Sequence, residues 1–328
     1  MFFARAPFRV SFLGGGSDYP TWYKFNGGKI LSTSIDNYCY LSGKKLPNIF
    51  DARVHFAWSK IEQVKNIENL SHPVVREGYK KFWNLDNGLH LNHFSDLPAR
   101  SGLGSSSAFT VAFIMLLEKI QNNKELSYEE LTHKAIDFEQ NILNETVGIQ
   151  DQIACTYGGF NQIEINKNGL YKINPLNISI EKLKIIEPYF KLFYIKRTDN
   201  SSTIAEKYVN SLQFNSLKNL VDLVDEGISS ILNLDIERFG QIVKTSWEEK
   251  KSNSDFISTE SVDFYINNLI KAGAYGAKLL GAGGGGFILS VADPAVYKKD
   301  EILNMGIASV DFKFGNKGAA ILNSEEIF

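Results

Sequence analysis

The sequence has few of the features that mark specialised classes of protein. Only two cysteines, Cys39 and Cys155, occur in 328 residues; they are too few for a disulfide framework and lack the spacing of metal ligands. Lys and Arg number 35 against 37 Asp and Glu, so no excess charge attracts nucleic acid or anionic lipid. No apolar run reaches the roughly 18 residues of a membrane span, and the N-terminus lacks the cleavage site of a signal peptide. We therefore expect a cytoplasmic protein without nucleic-acid or membrane partners.

Internal repeats and low-complexity linkers are absent from the sequence as well, so the domain organisation is inferred from the order of predicted elements. A chain of this length, with 44% hydrophobic residues, favours two domains. The first half mixes strand-like runs with two strong helices, and the second helix begins at a predicted capping box, Ser127 to Glu130. Near residue 185 a new strand precedes a largely helical stretch and a final group of strands. This clustering predicts an α+β fold with domains at residues 1–185 and 186–328.

The segment LPARSGLGSSSAF places two glycines and three serines directly before a long apolar helix. Gly102 and Gly104 permit a tight backbone that an anion can approach closely, and the first turn of a helix offers unpaired amides. Ser105, Ser106 and Ser107 can cap that helix, bind phosphate oxygens or give a hydroxyl to Mg²⁺. No GK[ST] follows the glycines, so this is not a Walker loop. The segment predicts a phosphate-binding loop, with an ordinary loop and helix cap as the alternative.

Two further glycine-rich stretches accompany this segment, RAPFRVSFLGGGSDY at residues 5–19 and KLLGAGGGGF at residues 278–287. In type, order and spacing the three stretches resemble the motifs of the GHMP kinases, the family of galactokinase, homoserine kinase, mevalonate kinase and phosphomevalonate kinase. The resemblance implies an N-terminal domain like ribosomal protein S5 domain 2, a ferredoxin-like C-terminal domain, and ATP in the cleft between them. The segments GGGSDY, VGIQDQ and WEEKKSNSDFIS are most similar to the sugar-1-kinase branch, in particular the heptose 7-phosphate kinases.

The resemblance also implies roles for individual residues. Asp151, in VGIQDQ, would be the catalytic base that takes the proton of a sugar hydroxyl, and Arg9, in APFRV, would keep it ionised. Mg²⁺ would be held by Ser106 and Glu139, with Glu145 as a rival carboxylate. The alternatives are that Asp151 only caps a helix, that Arg9 only forms a structural ion pair, and that Glu139 lies on a solvated helix face. The expected ATP phosphate-binding residues are Ser101, Gly102, Leu103, Gly104, Ser105, Ser106 and Ser107.

Substrate-binding residues are expected in the other two glycine-rich stretches. Asp18 can accept hydrogen bonds from two sugar hydroxyls at once, although an aspartate in a turn is the alternative. The segment around Trp58 lies where family members hold adenine. The expected substrate-binding set is Gly15, Gly16, Ser17, Asp18, Gly283, Gly284 and Gly285. The cations available for a phosphate on the substrate are Arg100, Arg197, Lys250 and Lys251.

Together these residues indicate a kinase that phosphorylates the anomeric hydroxyl of heptose 7-phosphate, with Mg²⁺ as cofactor and with ATP and a sugar phosphate as partners. Another sugar-1-kinase, fucokinase-like or galactokinase-like, is the nearest alternative. From a different class comes a non-catalytic sensor that binds ATP and sugar and acts through a partner protein. The presence of Asp151, Glu139 and Arg9 together argues against the sensor, because a sensor needs no base. The sequence leaves the oligomeric state open, a homodimer included.

Overall fold

A computed structural model of the chain describes residues 1–84, 86–196, 206, 207, 209, 214–252, 256–315 and 317–322. The strands are β1 (Phe2–Leu13), β2 (Gly28–Leu46), β3 (Val54–Ala57), β4 (Ile61–Val64), β5 (Gly88–Ser95), β6 (Phe160–Ile165), β7 (Tyr171–Pro175), β8 (Phe190–Ile195), β9 (Gly276–Leu279), β10 (Gly286–Val291), β11 (Ala308–Val310) and β12 (Ala320–Leu322). The helices are α1 (Pro20–Asn26), α2 (Pro73–Phe82), α3 (Ser105–Asn122), α4 (Tyr128–Asp137), α5 (Gln150–Tyr157), α6 (Ile180–Ile186), α7 (Phe214–Leu232), α8 (Ile236–Ser252), α9 (Glu260–Ala272) and α10 (Asp300–Leu303).

The first sheet has eight strands and is built around β2. Its order is β12-β1-β2-β5-β3-β4, with β6 paired to β2 and β7 paired to β6. All pairs are antiparallel except β3 with β5. Because β2 is 19 residues long, its first part pairs with β6 and its last part with β5, while β1 runs along its other edge.

The second sheet has four antiparallel strands in the order β11-β8-β10-β9. In chain order its first strand is β8, which follows α6. The expected domain boundary, between residues 185 and 186, lies within α6. The last strand, β12, does not join this sheet; it pairs with β1 of the first sheet, where Leu322 lies opposite Phe3. The division into 1–185 and 186–328 remains our proposal.

Helix α3 is the centre of the first core. It begins in the serine run, as predicted, and it is buried on nearly all sides, which is the behaviour of a helix that is apolar all round. Gly78 of α2 lets α2 and α3 approach closely, because a Cβ there would lie 2.4 Å from a ring carbon of Phe113.

Helix α4 starts at the predicted capping box, in which Ser127 and Glu130 hydrogen-bond each other's backbone amides. No helix in the described ranges has the length and apolar character needed to cross a bilayer.

Candidate active site

Arg9, on β1, and Asp151, in the first turn of α5, form an ion pair with two hydrogen bonds. Arg9 Nε donates to Asp151 Oδ1 over 2.7 Å, and Arg9 Nη2 donates to Asp151 Oδ2 over 2.8 Å. Arg9 is buried, whereas the side chain of Asp151 is 27% exposed. Burial alone would lower the pKa of Arg9, but the charge of Asp151 and the hydrogen bonds to it raise that pKa above its usual value. The arginine therefore stays charged, and part of the aspartate is accessible to a ligand.

The predicted phosphate loop lies directly beside this pair. Arg9 Nη1 donates to Gly102 O over 2.7 Å, and the Arg9 amide donates to Leu103 O over 2.9 Å. Gly102 and Gly104 have φ of 86° and 71°, in the left-handed region that favours glycine. A Cβ on Gly104 would lie 3.5 Å from Asp151 Oδ2. The first helical hydrogen bond of α3 ends at Gly104 O, so the amides of residues 105–107 have no partner within the helix.

The third glycine-rich stretch packs on the same loop. Phe287 N donates to Ser101 O over 2.9 Å, and a Cβ on Gly286 would lie only 2.4 Å from that oxygen. A Cβ on Gly102 would likewise lie 2.4 Å from Leu280 O. Backbone touches backbone here, and a side chain at either glycine would separate the two segments.

The expected substrate-binding glycines of this stretch lie between Leu280 and Gly286, two positions that contact the phosphate loop. Gly283, Gly284 and Gly285 all have positive φ, and the Gly284 amide donates to Ile257 O over 3.0 Å. That amide is therefore engaged within the protein.

Asp18 of the first glycine-rich stretch is also brought to Asp151. Its carboxylate is 2% exposed and accepts hydrogen bonds from Gly16 N (3.2 Å), Gln150 N (3.3 Å) and Gln150 Nε2 (2.9 Å). Burial, and after it the charge of Asp151, raises the pKa of Asp18. Two carboxylates thus lie close together, and among the described residues the ion pair is made with Asp151, by Arg9.

Ser17 has a structural position in the turn that precedes Asp18. It is buried, its hydroxyl donates to Gly14 O over 2.8 Å, and it accepts from Lys29 N over 3.1 Å. Gly15 and Gly16 complete the turn, and Gly16 has φ of 104°. The Ser17 hydroxyl thus links the turn to β2. Of the expected substrate-binding residues in this turn, Asp18 is the one whose side chain contacts Gln150, next to Asp151.

Glu139 is fully buried in a π-helical turn, Phe138–Ile142, that continues α4. Glu139 Oε2 accepts hydrogen bonds from Ser107 Oγ, over 2.9 Å, and from Gln152 Nε2, whereas among the described residues Oε1 has no donor at hydrogen-bond geometry. Burial raises the pKa of Glu139 to about 8. The nearby Thr110 hydroxyl lowers the pKa of Glu139 against the larger, opposite effect of burial. The structure thus brings Glu139 to Ser107, and Ser106 lies exposed on the same helical turn. Within the described ranges, no group of three or more His, Cys, Asp and Glu side chains is arranged to hold a metal.

Two sequence profiles of one family match the chain. The GHMP kinases N terminal domain matches residues 69–159, and the GHMP kinases C terminal matches residues 228–301; together they span half of the chain. The chain belongs to the GHMP kinase family. The predicted GHMP kinase fold and the predicted enzyme class, a phosphotransferase with an alcohol acceptor, are therefore confirmed.

Individual relatives of this GHMP kinase align over nearly their whole length. D-glycero-alpha-D-manno-heptose 7-phosphate kinase of Campylobacter jejuni is 28% identical over 302 residues, 88% of this chain and 89% of the relative. A galactokinase of Pyrococcus furiosus is 25% identical over 350 residues, 94% of each chain. The crystal structure of a D-glycero-D-manno-heptose 1-phosphate kinase from Bacteroides thetaiotaomicron has a TM-score of 0.80 at 22% identity, over 98% of this chain and 99% of that chain.

The cations considered for a substrate phosphate lie in different surroundings in this GHMP kinase. Lys250 Nζ donates to Gly281 O over 2.5 Å, and Lys251 Nζ donates to Asp263 Oδ1 over 3.1 Å. Arg100 is exposed at the start of the phosphate loop and has φ of 56°. Arg197 lies outside the described residues.

Trp58 lies in an aromatic cluster. Its Nε1 donates to Glu62 Oε1 over 2.9 Å, and its ring and that of His72 are nearly perpendicular, with their centroids 4.8 Å apart. Burial, and after it the nearby His93, lowers the pKa of His72 to about 4, so this imidazole is neutral near pH 7.

Sequence reasoning missed four residues around the site: Ser107 as the contact of Glu139, and Gln150, Gln152 and Lys278. The glutamines flank Asp151 in VGIQDQ, and a helix that begins at Gln150 turns these three side chains in three directions. Lys278, on β9, is 8% exposed and donates to Phe12 O over 2.7 Å. Burial, together with Lys250 and Arg9, lowers the pKa of Lys278 to about 7.

Proposed function

We propose that this GHMP kinase phosphorylates the anomeric hydroxyl of D-glycero-D-manno-heptose 7-phosphate and forms the 1,7-bisphosphate. The observation that carries the kinase chemistry is the Arg9–Asp151 pair, which lies beside the phosphate loop and the start of α3, where the first amides have no partner within the helix. The choice of sugar rests on the relative from Campylobacter jejuni, which aligns over nearly nine-tenths of both chains.

The ATP phosphates bind to the loop of residues 101–107 in this proposal. The unpaired amides at the start of α3 and the positive end of its dipole favour negative charge at that place. Gly102 and Gly104 keep the backbone open to close approach.

Asp151 acts as the base in a direct in-line transfer. The anomeric hydroxyl gives its proton to the Asp151 carboxylate while its oxygen forms a bond to the γ-phosphorus, and the bond from that phosphorus to the β–γ bridging oxygen breaks to release ADP. Arg9 fixes the aspartate in orientation through its two charge-assisted hydrogen bonds. No phosphoenzyme forms.

A sugar hydroxyl binds at Asp18 in this proposal, and the turn at Gly15–Ser17 and the stretch at Gly283–Gly285 line the same substrate site. Asp18 suits this role because each carboxylate oxygen can accept two hydrogen bonds, so the three that the protein donates leave one acceptor position, on Oδ2.

Mg²⁺ is the cofactor in this proposal, held by Glu139 and the Ser106 hydroxyl. Glu139 fits the ion, since its buried Oε1 has no donor at hydrogen-bond geometry in the described part of the chain and a carboxylate oxygen is a ligand that Mg²⁺ favours. When bound, the ion neutralises negative charge on the phosphates and helps to align them for transfer. Ser107 holds Glu139 in orientation through its hydroxyl.

The proposal includes a cytoplasmic location, which agrees with Cys39 and Cys155 being free thiols. It leaves the oligomeric state to measurement.

The test is incubation with MgATP and a panel of sugars and sugar phosphates, with ADP formation as the first readout. We expect heptose 7-phosphate to give the fastest turnover, and phosphorus NMR of the product to place the new phosphate on the anomeric carbon. If no sugar stimulates ATP turnover while ATP and sugar still bind, the non-catalytic sensor is favoured.

Another sugar-1-kinase is the second candidate, because the galactokinase of Pyrococcus furiosus aligns over 94% of each chain. Turnover with unphosphorylated sugars alone would favour it over the heptose 7-phosphate kinase.

A further inference from the structure

The first turn of α5 contacts three parts of the candidate active site with three consecutive side chains. Gln150 reaches Asp18, Asp151 reaches Arg9, and Gln152 reaches Glu139. Successive residues of a helix are turned by about 100°, so one short segment can address three directions at once. One turn of backbone thus joins the expected sugar-binding, base and metal-binding groups.

The two glutamines hold their carboxylates in a single orientation. Gln150 is 9% exposed and Gln152 is 0% exposed, and each amide nitrogen, Nε2, donates to a carboxylate oxygen. When ionised, which is the form that binds a metal ion or a sugar hydroxyl, a carboxylate only accepts, so the amide presents its NH₂ and not its carbonyl. Among the described residues, neither glutamine Oε1 has a hydrogen-bond partner, and both are buried. The hydrogen bond that Nε2 donates to the carboxylate therefore orients each amide.

The kind of donor differs among the three acids. Asp151 is held by a cation, Arg9, whereas the side-chain donors to Asp18 and Glu139 are neutral. A lysine or arginine beside Asp18 or Glu139 would compete with a sugar hydroxyl or a metal ion for the negative charge. An amide fixes the geometry and leaves the charge available to the ligand.

We propose that Gln150 and Gln152 are positioning residues with separate targets, Gln150 orienting Asp18 for the sugar and Gln152 orienting Glu139 for the divalent cation. This inference rests on the proposed function for the identity of the two ligands. It goes beyond that function by assigning each glutamine to one ligand.

The test compares Gln150→Met and Gln152→Met, which keep side-chain length and remove the donor. Exposed Gln241→Met on α8 is the matched control. Two dissociation constants are measured for each protein with a non-hydrolysable ATP analogue present. One is for heptose 7-phosphate by calorimetry, and the other is for Mn²⁺ by the electron paramagnetic resonance signal of the free ion. KM for the sugar and for ATP, and kcat, are measured beside them.

We expect a crossed pattern. Gln150→Met should weaken sugar binding by about tenfold to a hundredfold and leave Mn²⁺ binding within about threefold, and Gln152→Met should do the reverse, which is the usual range for losing an outer partner of a ligand-binding group. Gln241→Met should change neither constant. A merely structural role would weaken both ligands to a similar extent in both variants, or neither, and either result overturns the proposal.

Two further arrangements keep the outcomes separate. If a methionine variant fails to fold, as judged by its unfolding transition, the asparagine variant at the same position withdraws the amide by one carbon and the same pattern is expected. If wild-type protein binds Mn²⁺ but no sugar in the panel, the proposed function fails, while the Mn²⁺ arm still decides the role of Gln152.

Discussion

Gly102 and Gly281 meet backbone to backbone, and a Cβ added to Gly281 would lie 2.6 Å from the Cα of Gly102. The contact fixes the phosphate loop against the segment that follows β9, so the position of the loop depends on the second sheet. Both glycines also have positive φ, 86° and 75°. Two independent reasons therefore exclude a side chain, and they can be separated by mutation.

We predict that Gly281→Ala destabilises the protein and weakens nucleotide binding. Gly306→Ala is the matched control, because Gly306 has φ of 70° but nothing within 4 Å of an added Cβ. The control should cost about 1 kcal/mol of unfolding free energy from backbone strain, and Gly281→Ala should cost at least about 2 kcal/mol because backbone must also shift. Affinity for an ATP analogue should fall about tenfold in Gly281→Ala alone. Equal effects of the two variants would show that the contact has no role in holding the loop.

Asp151→Asn should slow phosphoryl transfer by about two orders of magnitude or more, which is the range for losing a general base. Nucleotide affinity should stay within about twofold, because the loop amides remain in place. Single-turnover kinetics with saturating MgATP would measure the first effect, and calorimetry with an ATP analogue the second. Asp222→Asn, at an exposed position on α7, is the control and should behave as wild type. Wild-type turnover in Asp151→Asn would show that the base is another residue.

Arg9 is predicted to support both the base and the loop, because it bonds Asp151 and Gly102 O with one guanidinium group. Arg9→Met should lower the unfolding free energy by about 2–4 kcal/mol, because Arg9 is buried and its loss leaves three acceptor atoms without their donor. Arg9→Lys keeps the charge but not the planar fork, so it should recover stability only in part and kcat hardly at all. Denaturant unfolding and steady-state kinetics measure the two effects. Full activity in Arg9→Lys would contradict a requirement for both hydrogen bonds.

The sequence motifs predict which segments meet, and the turn-by-turn geometry decides which atoms touch. Arg9 and Asp151 both belong to motifs that are recognisable in the sequence, and the structure brings these two residues, 142 positions apart, into contact. The contact of Glu139 is harder to predict, because a shift of one residue in a helix start rotates every side chain by about 100°. Ser107 donates to Glu139, a contact the sequence did not predict, while Ser106 on the same turn stays the proposed Mg²⁺ ligand.

The π-helical turn at Phe138–Ile142 and the buried Lys278 show a second limit of sequence reasoning. The apolar spacing around Glu139 fits an ordinary helix, and the spacing does not reveal that this turn is widened. Lys278 stands between apolar residues of a strand, and its acceptor, Phe12 O, is 266 residues away. Only the packing of β9 against the end of β1 brings the two together.

Lys278 provides the last prediction, a difference in stability that depends on pH. Its pKa is lowered from 10.5 to about 7 on folding, so between these values the unfolded chain holds a proton that the folded chain has lost. The unfolding free energy of the wild type should therefore rise with pH through this window. Below pH 7 the ammonium is charged in both states, and its burial, with no carboxylate partner among the residues that the structure describes, counts in full against the folded state.

Lys278→Met removes this contribution. Relative to wild type it should be most stable below about pH 7 and lose that advantage as the pH approaches about 10.5, apart from roughly 1 kcal/mol for the hydrogen bond to Phe12 O. Urea unfolding of both proteins at about pH 6, 8 and 10 measures the difference. Lys167→Met, at an exposed position in the turn between β6 and β7, should show no such window. A difference between Lys278→Met and wild type that stays constant across this range would mean that the buried lysine keeps its proton at every pH tested.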